Sequence, residues 1–532
     1  MLGNLGGVPE NWCQVCVVGA GPVGLALAIS LANKGLRVLL LESGRSSRNL
    51  QAQALSQLAS LNPEYHGHSD ATVVRAVGGS TLRWGGRCVE LDDIDFDERE
   101  HVSEGKWPIG HGEIRPYYSA ARSFLTAEID LLPVKNEVSD FDVSLETWAR
   151  IKNTAHANRS VIATLHDLVV VSECTILALN VERERGRILS LDCIKHGARH
   201  KLTAPAFVLS AGGRENARLL LEAQCTHPQL FCGDSGPLGR YYMGHLTGEI
   251  SAIRFASSHL AERHFFKTSP TGTVYRHRLK PSKDVQRHRH LLNIAFWPDS
   301  PTPDEVLNGN GAGSLLHLIR HAASKSCRTA PKPHSLTQEA LKAHFKNAFA
   351  DPWQTIVGGV GMARRRLTPA NGPRTVHISP SNTYVMRYHS EQLAAAHNRV
   401  SLSHKRDEYG CRRLNVDFNF ATEDFASVIR AHDAMNDWLI RTGFGTMTYL
   451  RPMETMEQWV REQAVDGYHQ IGLTRMSSKA NTGIVNENCR VHDLENLYIA
   501  GSSVFPTSGQ ANPTLPAVAL AMRLADHLAT VV

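Results

Sequence analysis

Residues 467–472 read Gly-Tyr-His-Gln-Ile-Gly, and residues 512–514 read Asn-Pro-Thr. The first stretch sets one imidazole, His469, between glycines. A neutral imidazole, with an ordinary pKa near about 6.5, suits removal of a hydroxyl proton. The second stretch, 43 residues on, offers the carboxamide of Asn512. Together they can supply a base and a polar partner for alcohol chemistry. Asn512 also has a structural reading. Asn before Pro513 is a good helix cap with proline at the first helical position, and a helix from residue 513 to about 528 would follow. Both roles can hold, the backbone capping while the side chain faces a substrate.

A different chemistry is written near the start. The apolar run Gln14-Val15-Cys16-Val17-Val18 leads into Gly19-Ala20-Gly21-Pro22-Val23-Gly24. The first glycine permits a tight turn, the second lets backbone approach a pyrophosphate, and the third lets the next helix pack against the strand. That helix, over residues 25–32, ends near Lys34-Gly35. Its N-terminus presents free N–H groups and a positive dipole end to phosphates. A second buried strand, 38–41, runs into Glu42, 18 residues past Gly24. There a carboxylate can accept hydrogen bonds from a ribose. Strand, helix, strand and acid in order read as dinucleotide binding. The late strand 497–500, ending in Gly501-Ser502-Ser503, brings the chain back to the cofactor, which a simple NAD-binding half does not do.

At 532 residues, 42% hydrophobic and 20% charged, the chain suits two intertwined domains with a large core. No apolar run approaches a membrane span, and Met1 to Trp12 has neither a basic region nor an apolar one, so no secretory signal is read. Ten scattered cysteines suit free thiols in a cytoplasmic protein. Cys13 and Cys16 form a C-x-x-C, but on a strand and its approach, without zinc-site partners, and no metal is expected. The net charge is +6, with basic clusters at 287–290 and 364–366. These read as solvated faces, the alternative being an acidic substrate, partner or lipid surface. Without a nucleic-acid motif or interleaved aromatics, no nucleic-acid partner is expected.

The expected fold class is α/β: a Rossmann-like domain with a parallel βαβ sheet, into which an α+β substrate domain built on an antiparallel sheet is inserted. The first is expected over 10–250 and 456–532, the second over 251–455. In the first, 168–171 and 206–210 read as strands, the latter running into Ala211-Gly212-Gly213-Arg214-Glu215-Asn216 and a helix. In the second, 248–253, 290–296 and 399–403 read as strands, and 314–324, 336–348 and 422–442 as helices. Proline-rich turns at 300–303 and 330–333 read as linkers or a lid.

The late stretch, from His469-x-x-Gly472-x-x-Arg475-Met476 through Arg490-Val491-His492 and Gly501-Ser502-Ser503 to Asn512-Pro513, resembles the C-terminal signature of the glucose–methanol–choline (GMC) oxidoreductases. The resemblance implies FAD and oxidation of a small-molecule alcohol, with O2 or another electron acceptor. It implies His469 as base and Asn512 as partner, the family's pair being His with His or Asn. Residues 211–216 look like the family's second approach to FAD, though Arg214 stands where an apolar residue is usual. Residues 77–88 are similar to the flavin loop of the branch holding pyranose oxidase and sugar 3-oxidases. That likeness suggests a sugar, cyclitol or related polyol. Covalent members of the branch carry a flavin-linking His before the Trp; here the place holds Arg83, so non-covalent FAD is expected. Asp92 to Asp97, Trp107-Pro108 and Ile114 to Tyr118 look like the branch's connection across the cofactor cleft. The cofactor contacts so implied are Gly19, Gly21, Pro22, Val23, Gly24, Glu42, Ser43, Gly78, Gly79, Ser80, Thr81, Trp84, Gly85, Gly86, Ile176, Ala211, Gly212, Asn216, Gly501, Ser502, Pro513 and Thr514. Gln392, Tyr468 and Trp84 are expected to touch substrate, and His245 to be structural or flavin-side. Two alternatives share the cofactor: a flavin-containing lyase, and a flavin monooxygenase, for which no second nucleotide fingerprint is present.

Overall fold

In a computed structural model the described residues are 9, 11–130, 140–299 and 381–532, with 338–350 and isolated positions between 314 and 379. Five short apolar strands form a parallel sheet in the order Leu497–Ile499, Ala206–Leu209, Val15–Val18, Val38–Leu41, Leu168–Val171. Every residue of Val15–Val18 and Val38–Leu41 is buried, as strands covered on both faces must be. Each such side chain contributes roughly 1.5–3 kcal/mol by leaving water. Helix Pro22–Asn33 packs against the C-terminal helix Thr514–Val531. It stops at Lys34, followed by Gly35 at φ +82°.

A second, antiparallel sheet runs in the order Gly445–Tyr449, His245–Phe255, Thr383–Glu391, Ile294–Asp299, Val274–Pro281, Phe141–Trp148, Arg87–Cys88. Helix Thr422–Thr442 packs its apolar stripe, including Phe425, Val428, Met435 and Leu439, into the core that also buries Leu246, Phe296 and Tyr388. The mixed α/β architecture expected from the sequence is present. Two strands of this sheet, Arg87–Cys88 and Phe141–Trp148, come from chain well before residue 251, and neither was read from the sequence. The strand expected at 290–296 starts later, at Ile294. Helix Lys283–His288 occupies the preceding residues, and His290 turns at φ +50°.

The cluster at 287–290 is that helix's end, where Arg287 bonds Asp97 and Arg289 bonds Asp437 on the surface. The cluster at 364–366, the proline turns and most of 314–324 lie outside the described residues; helix Gln338–Ala350 covers most of the expected 336–348. Cys13 and Cys16 are buried free thiols. Among the described residues no helix is long and apolar enough to cross a membrane.

Candidate active site

The cleft opens where strand ends of the parallel sheet meet helix starts. Gly19, at φ +102°, turns the chain so tightly that a Cβ there would stand 2.6 Å from the Ser210 carbonyl oxygen. At Gly24 a Cβ would meet the Gly19 carbonyl oxygen at 1.9 Å. At Gly21 it would meet no protein atom within 4 Å. The outer glycines are therefore packing requirements, and the middle one keeps open the space in front of the helix. Pro22, Gly213 and Thr514 each begin a helix, and all three line the cleft. Three positive helix ends facing one cavity suit phosphate and a flavin that gains negative charge.

Of the expected cofactor contacts, Gly19, Gly21, Pro22, Val23, Glu42, Ser43, Gly79, Ser80, Ile176, Ala211, Gly212, Gly501, Ser502, Pro513 and Thr514 line this cleft. Glu42 accepts from the amides of Ala20 at 3.0 Å and Gly44 at 2.8 Å. Burial raises its pKa against the pull of those amides and of Arg75. Arg214 is also in the wall; it bonds Thr72 Oγ1 at 3.1 Å and leaves Nη1 buried without a partner. An open glycine cradle, an acid at the second strand end and an unpaired buried guanidinium fit FAD.

Other expected contacts stand one layer back. Thr81 bonds the Gly78 carbonyl oxygen, Gly78 donates its amide to Ala20, and Asn216 Oδ1 accepts from the Ala211 amide. The Trp84 indole N–H donates to the Lys152 carbonyl at 2.9 Å, and neither Trp84 nor Gly85 nor Gly86 is among the residues lining the cleft. Gln392 is buried; its Oε1 accepts from the Gly244 amide and its Nε2 donates to the Asn419 carbonyl, so its side chain is engaged by backbone. Arg83 is exposed and bonds the Asp70 carbonyl.

His469 and Tyr468 line the cleft, and Asn512 Nδ2 lies 3.2 Å from His469 Nε2. The capping reading of Asn512 fails. The helix begins at Thr514 with Pro513 in the cap position, and the Pro513 carbonyl accepts its first bond. The Asn512 side chain is turned to the imidazole instead.

The hydrogen bonds fix the protons. His245 Nε2 faces the Ser508 carbonyl at 3.3 Å, so it carries the proton and Nδ1 is a bare acceptor. His469 Nδ1 then faces two acceptors, His245 Nδ1 at 2.8 Å and Asp466 Oδ2 at 3.0 Å. The His469 proton sits on Nδ1, and Nε2 is left bare, accepting from Asn512.

Asp466 also accepts from the amides of Tyr468, His469 and His245. Burial would raise its pKa, but His469 and His245 outweigh that and hold it at about 2. Burial and the neighbouring imidazoles keep His245 and His389 well below the usual histidine range, hence neutral. His389 stacks on His245 at 4.3 Å and donates Nδ1–H to the Gln510 carbonyl.

Nitrogens of His245, His389 and His469 lie within 4.8 Å of one another, a spacing a metal ion would accept. The tautomers above already account for the hydrogen bond within the group, between His245 and His469, and the Arg87 and Arg278 charges that bear on His389 oppose a cation. Sequence reading missed Asp466, His389 and the bonding role of His245. Only Asp466, three residues before His469, left a local trace.

The connection over 92–107 positions Asn512 from outside. Trp107 donates to Thr507 Oγ1 at 2.8 Å, and Gly509, at φ +57°, lies so close to Asp95 that a Cβ would stand 2.8 Å from its Oδ2.

Residues 394–521 match the family described as GMC oxidoreductase, and residues 12–58 match the FAD binding domain family. The chain is 24% identical to 6'''-hydroxyparomomycin C oxidase of Streptomyces lividus, over 98% of this chain and 93% of that one. It is 22% identical to 2-methyl-1,2-propanediol dehydrogenase of Mycolicibacterium austroafricanum, over 97% and 95%. Among solved structures, pyridoxine 4-oxidase from Mesorbium loti shares the fold at a TM-score of 0.53 and 16% identity, covering 97% of this chain and 99% of that one. These matches support a GMC-type enzyme, and the chain is an FAD-dependent oxidoreductase.

Proposed function

We propose that this enzyme oxidises the CH–OH carbon of a small polyol, sugar or related natural-product alcohol to a carbonyl, with His469 as base and Asn512 as its partner. The observation that carries this reading is the bare Nε2 of His469, which lines the cleft beside Asn512 while Asp466 holds the opposite nitrogen protonated. When bound, FAD supplies the hydride acceptor. His469 Nε2 takes the hydroxyl proton, and Asn512 Nδ2 turns from the imidazole to the alcohol oxygen. The charge gained by His469 is offset by the Asp466 carboxylate. The positive end of helix Thr514–Val531 favours negative charge in the cleft.

Relatives named as oxidases and dehydrogenases support oxidation and lend nothing to a lyase. The 77–88 loop supports a polyol substrate. Arg83 supports FAD held without a covalent bond, to be released into the supernatant by acid precipitation. We further read two domains, a cofactor domain over 10–250 and 456–532 and a substrate domain over 251–455, with the substrate-side sheet borrowing strands from the former. His469→Ala tests the base. It should keep FAD yet slow anaerobic flavin reduction by about 10²-fold or more; near-normal reduction would move the role elsewhere.

A further inference from the structure

The sheet face that bears His389 also carries a buried group of guanidiniums. Arg276 and Arg278 alternate along Val274–Pro281, opposite Glu146 and Ser144. They are 2% and 0% exposed. Glu146 is held by Arg276 and by Arg87, whose Nε lies at 3.0 Å. Burial would raise the Glu146 pKa, but Arg276, Arg87 and Arg278 pull it to about 2. That carboxylate is therefore charged and ion-paired with Arg276 and Arg87, although its Oε1 makes no hydrogen bond. Asp92, the other carboxylate acting on Arg278, is paired with Lys280.

Three guanidiniums thus share one carboxylate. Arg278 donates through Nη2 to Gln510 Oε1 at 2.8 Å, while its Nε and Nη1, and Arg276 Nη2, are buried without a partner. Such donors are costly to leave unused. A planar fork with free N–H edges is the shape that takes a carboxylate or phosphate through parallel bonds. The rings of Trp297, Phe266 and Trp148 lie 4.3, 4.9 and 5.3 Å from the Arg276 guanidinium and hold it in place. The group is not sealed, because the Arg87 side chain is 25% exposed. Gln510, which bonds both Arg278 and His389, links the group to the histidine whose ring lies 5.9 Å from that of His469.

We propose that this cluster is an oxyanion subsite, and that the alcohol oxidised by this enzyme carries a carboxylate or a phosphate. The inference rests on the alcohol-oxidising reading above and narrows its substrate. The same guanidiniums repel an alcohol bearing an ammonium group.

The test uses the holoenzyme and matched alcohols: neutral polyols, the corresponding carboxylates and the corresponding phosphate monoesters. Flavin bleaching is followed without oxygen. At least one acidic series should reduce the flavin with tenfold or greater efficiency over its neutral parents, and the two acidic arms tell carboxylate from phosphate. Arg278→Met should remove most of that preference by weakening binding rather than the limiting rate, and Arg278→Lys should restore part of it. Arg87→Met, at the partly exposed position, carries the same expectation should Arg278→Met fail to fold. Equal reduction by neutral and acidic alcohols overturns the proposal. Inorganic phosphate and acetate, each added alone, should change the tryptophan fluorescence of the wild type and not of Arg278→Met. That readout needs no turnover. If no alcohol bleaches the flavin, the alcohol reading falls, and the fluorescence titration decides the anion site on its own.

Discussion

Asp466 Oδ2 lies 3.0 Å from His469 Nδ1, and the same carboxylate gathers the backbone amides of Tyr468, His469 and His245. One buried charge therefore shapes the turn and chooses the tautomer. With the proton drawn to Nδ1, the nitrogen facing Asn512 is free to act.

Asp466→Asn separates those two duties. An amide can keep part of the turn, but it offers an N–H as readily as an acceptor and so permits the other tautomer. We expect FAD retained and flavin reduction slowed by about tenfold or more. A variant with its rate intact would leave Asp466 as a backbone pin, with stopped-flow absorbance as the measurement.

Asn512 is free of any capping duty, so substitution there reports on chemistry. Asn512→Asp should fold and load FAD. It removes the donor to His469 Nε2 and sets a negative charge beside a cleft that must accept a hydride. The Coulomb term is roughly a few kcal/mol at an intermediate effective dielectric. Slower reduction and a lowered flavin potential are expected; an unchanged potential would argue against a charge effect.

Gly21 and Gly24 should fail differently. A Cβ at Gly24 would stand 1.9 Å from a backbone oxygen, while one at Gly21 would meet open space at an ordinary φ of −72°. Gly24→Ala should lose stability by ~1–3 kcal/mol or more through overpacking. Gly21→Ala should melt near the wild-type apoprotein and lose FAD affinity. Equal melting losses would contradict the assignment of Gly21 to the cofactor.

Acid should destabilise this protein through identifiable carboxylates. Asp466, Glu146 and Glu215 are each held at about 2, below their ordinary values near 4, Asp466 by the imidazoles and amides around it and the two glutamates by the guanidiniums they face. A depressed folded-state pKa adds stability that is complete above the unfolded value and lost as pH falls through the folded one. Denaturant midpoints should therefore drop steeply between about pH 4.5 and 2. Glu215→Gln should show a shallower drop, and an identical slope would exclude Glu215 from the effect.

The dinucleotide site was legible because its physics is local. Gly19, Gly21 and Gly24 answer to one turn and one helix start, and Glu42 to the end of the next strand, so their spacing along the chain is enough. The base and its partner were legible as residues, from the settings of His469 and Asn512, but not as a working geometry. Only the tertiary structure brings His245 from one sheet strand and Asp466 from the preceding turn onto the same nitrogen of His469. Only it shows Gln392 consumed by backbone and Asn512 released from its cap. Those outcomes depend on which neighbours compete for each donor and acceptor. In the antiparallel sheet such neighbours arrive from strands as far apart in the chain as Arg87–Cys88 and Gly445–Tyr449, and no local pattern of residues encodes that pairing.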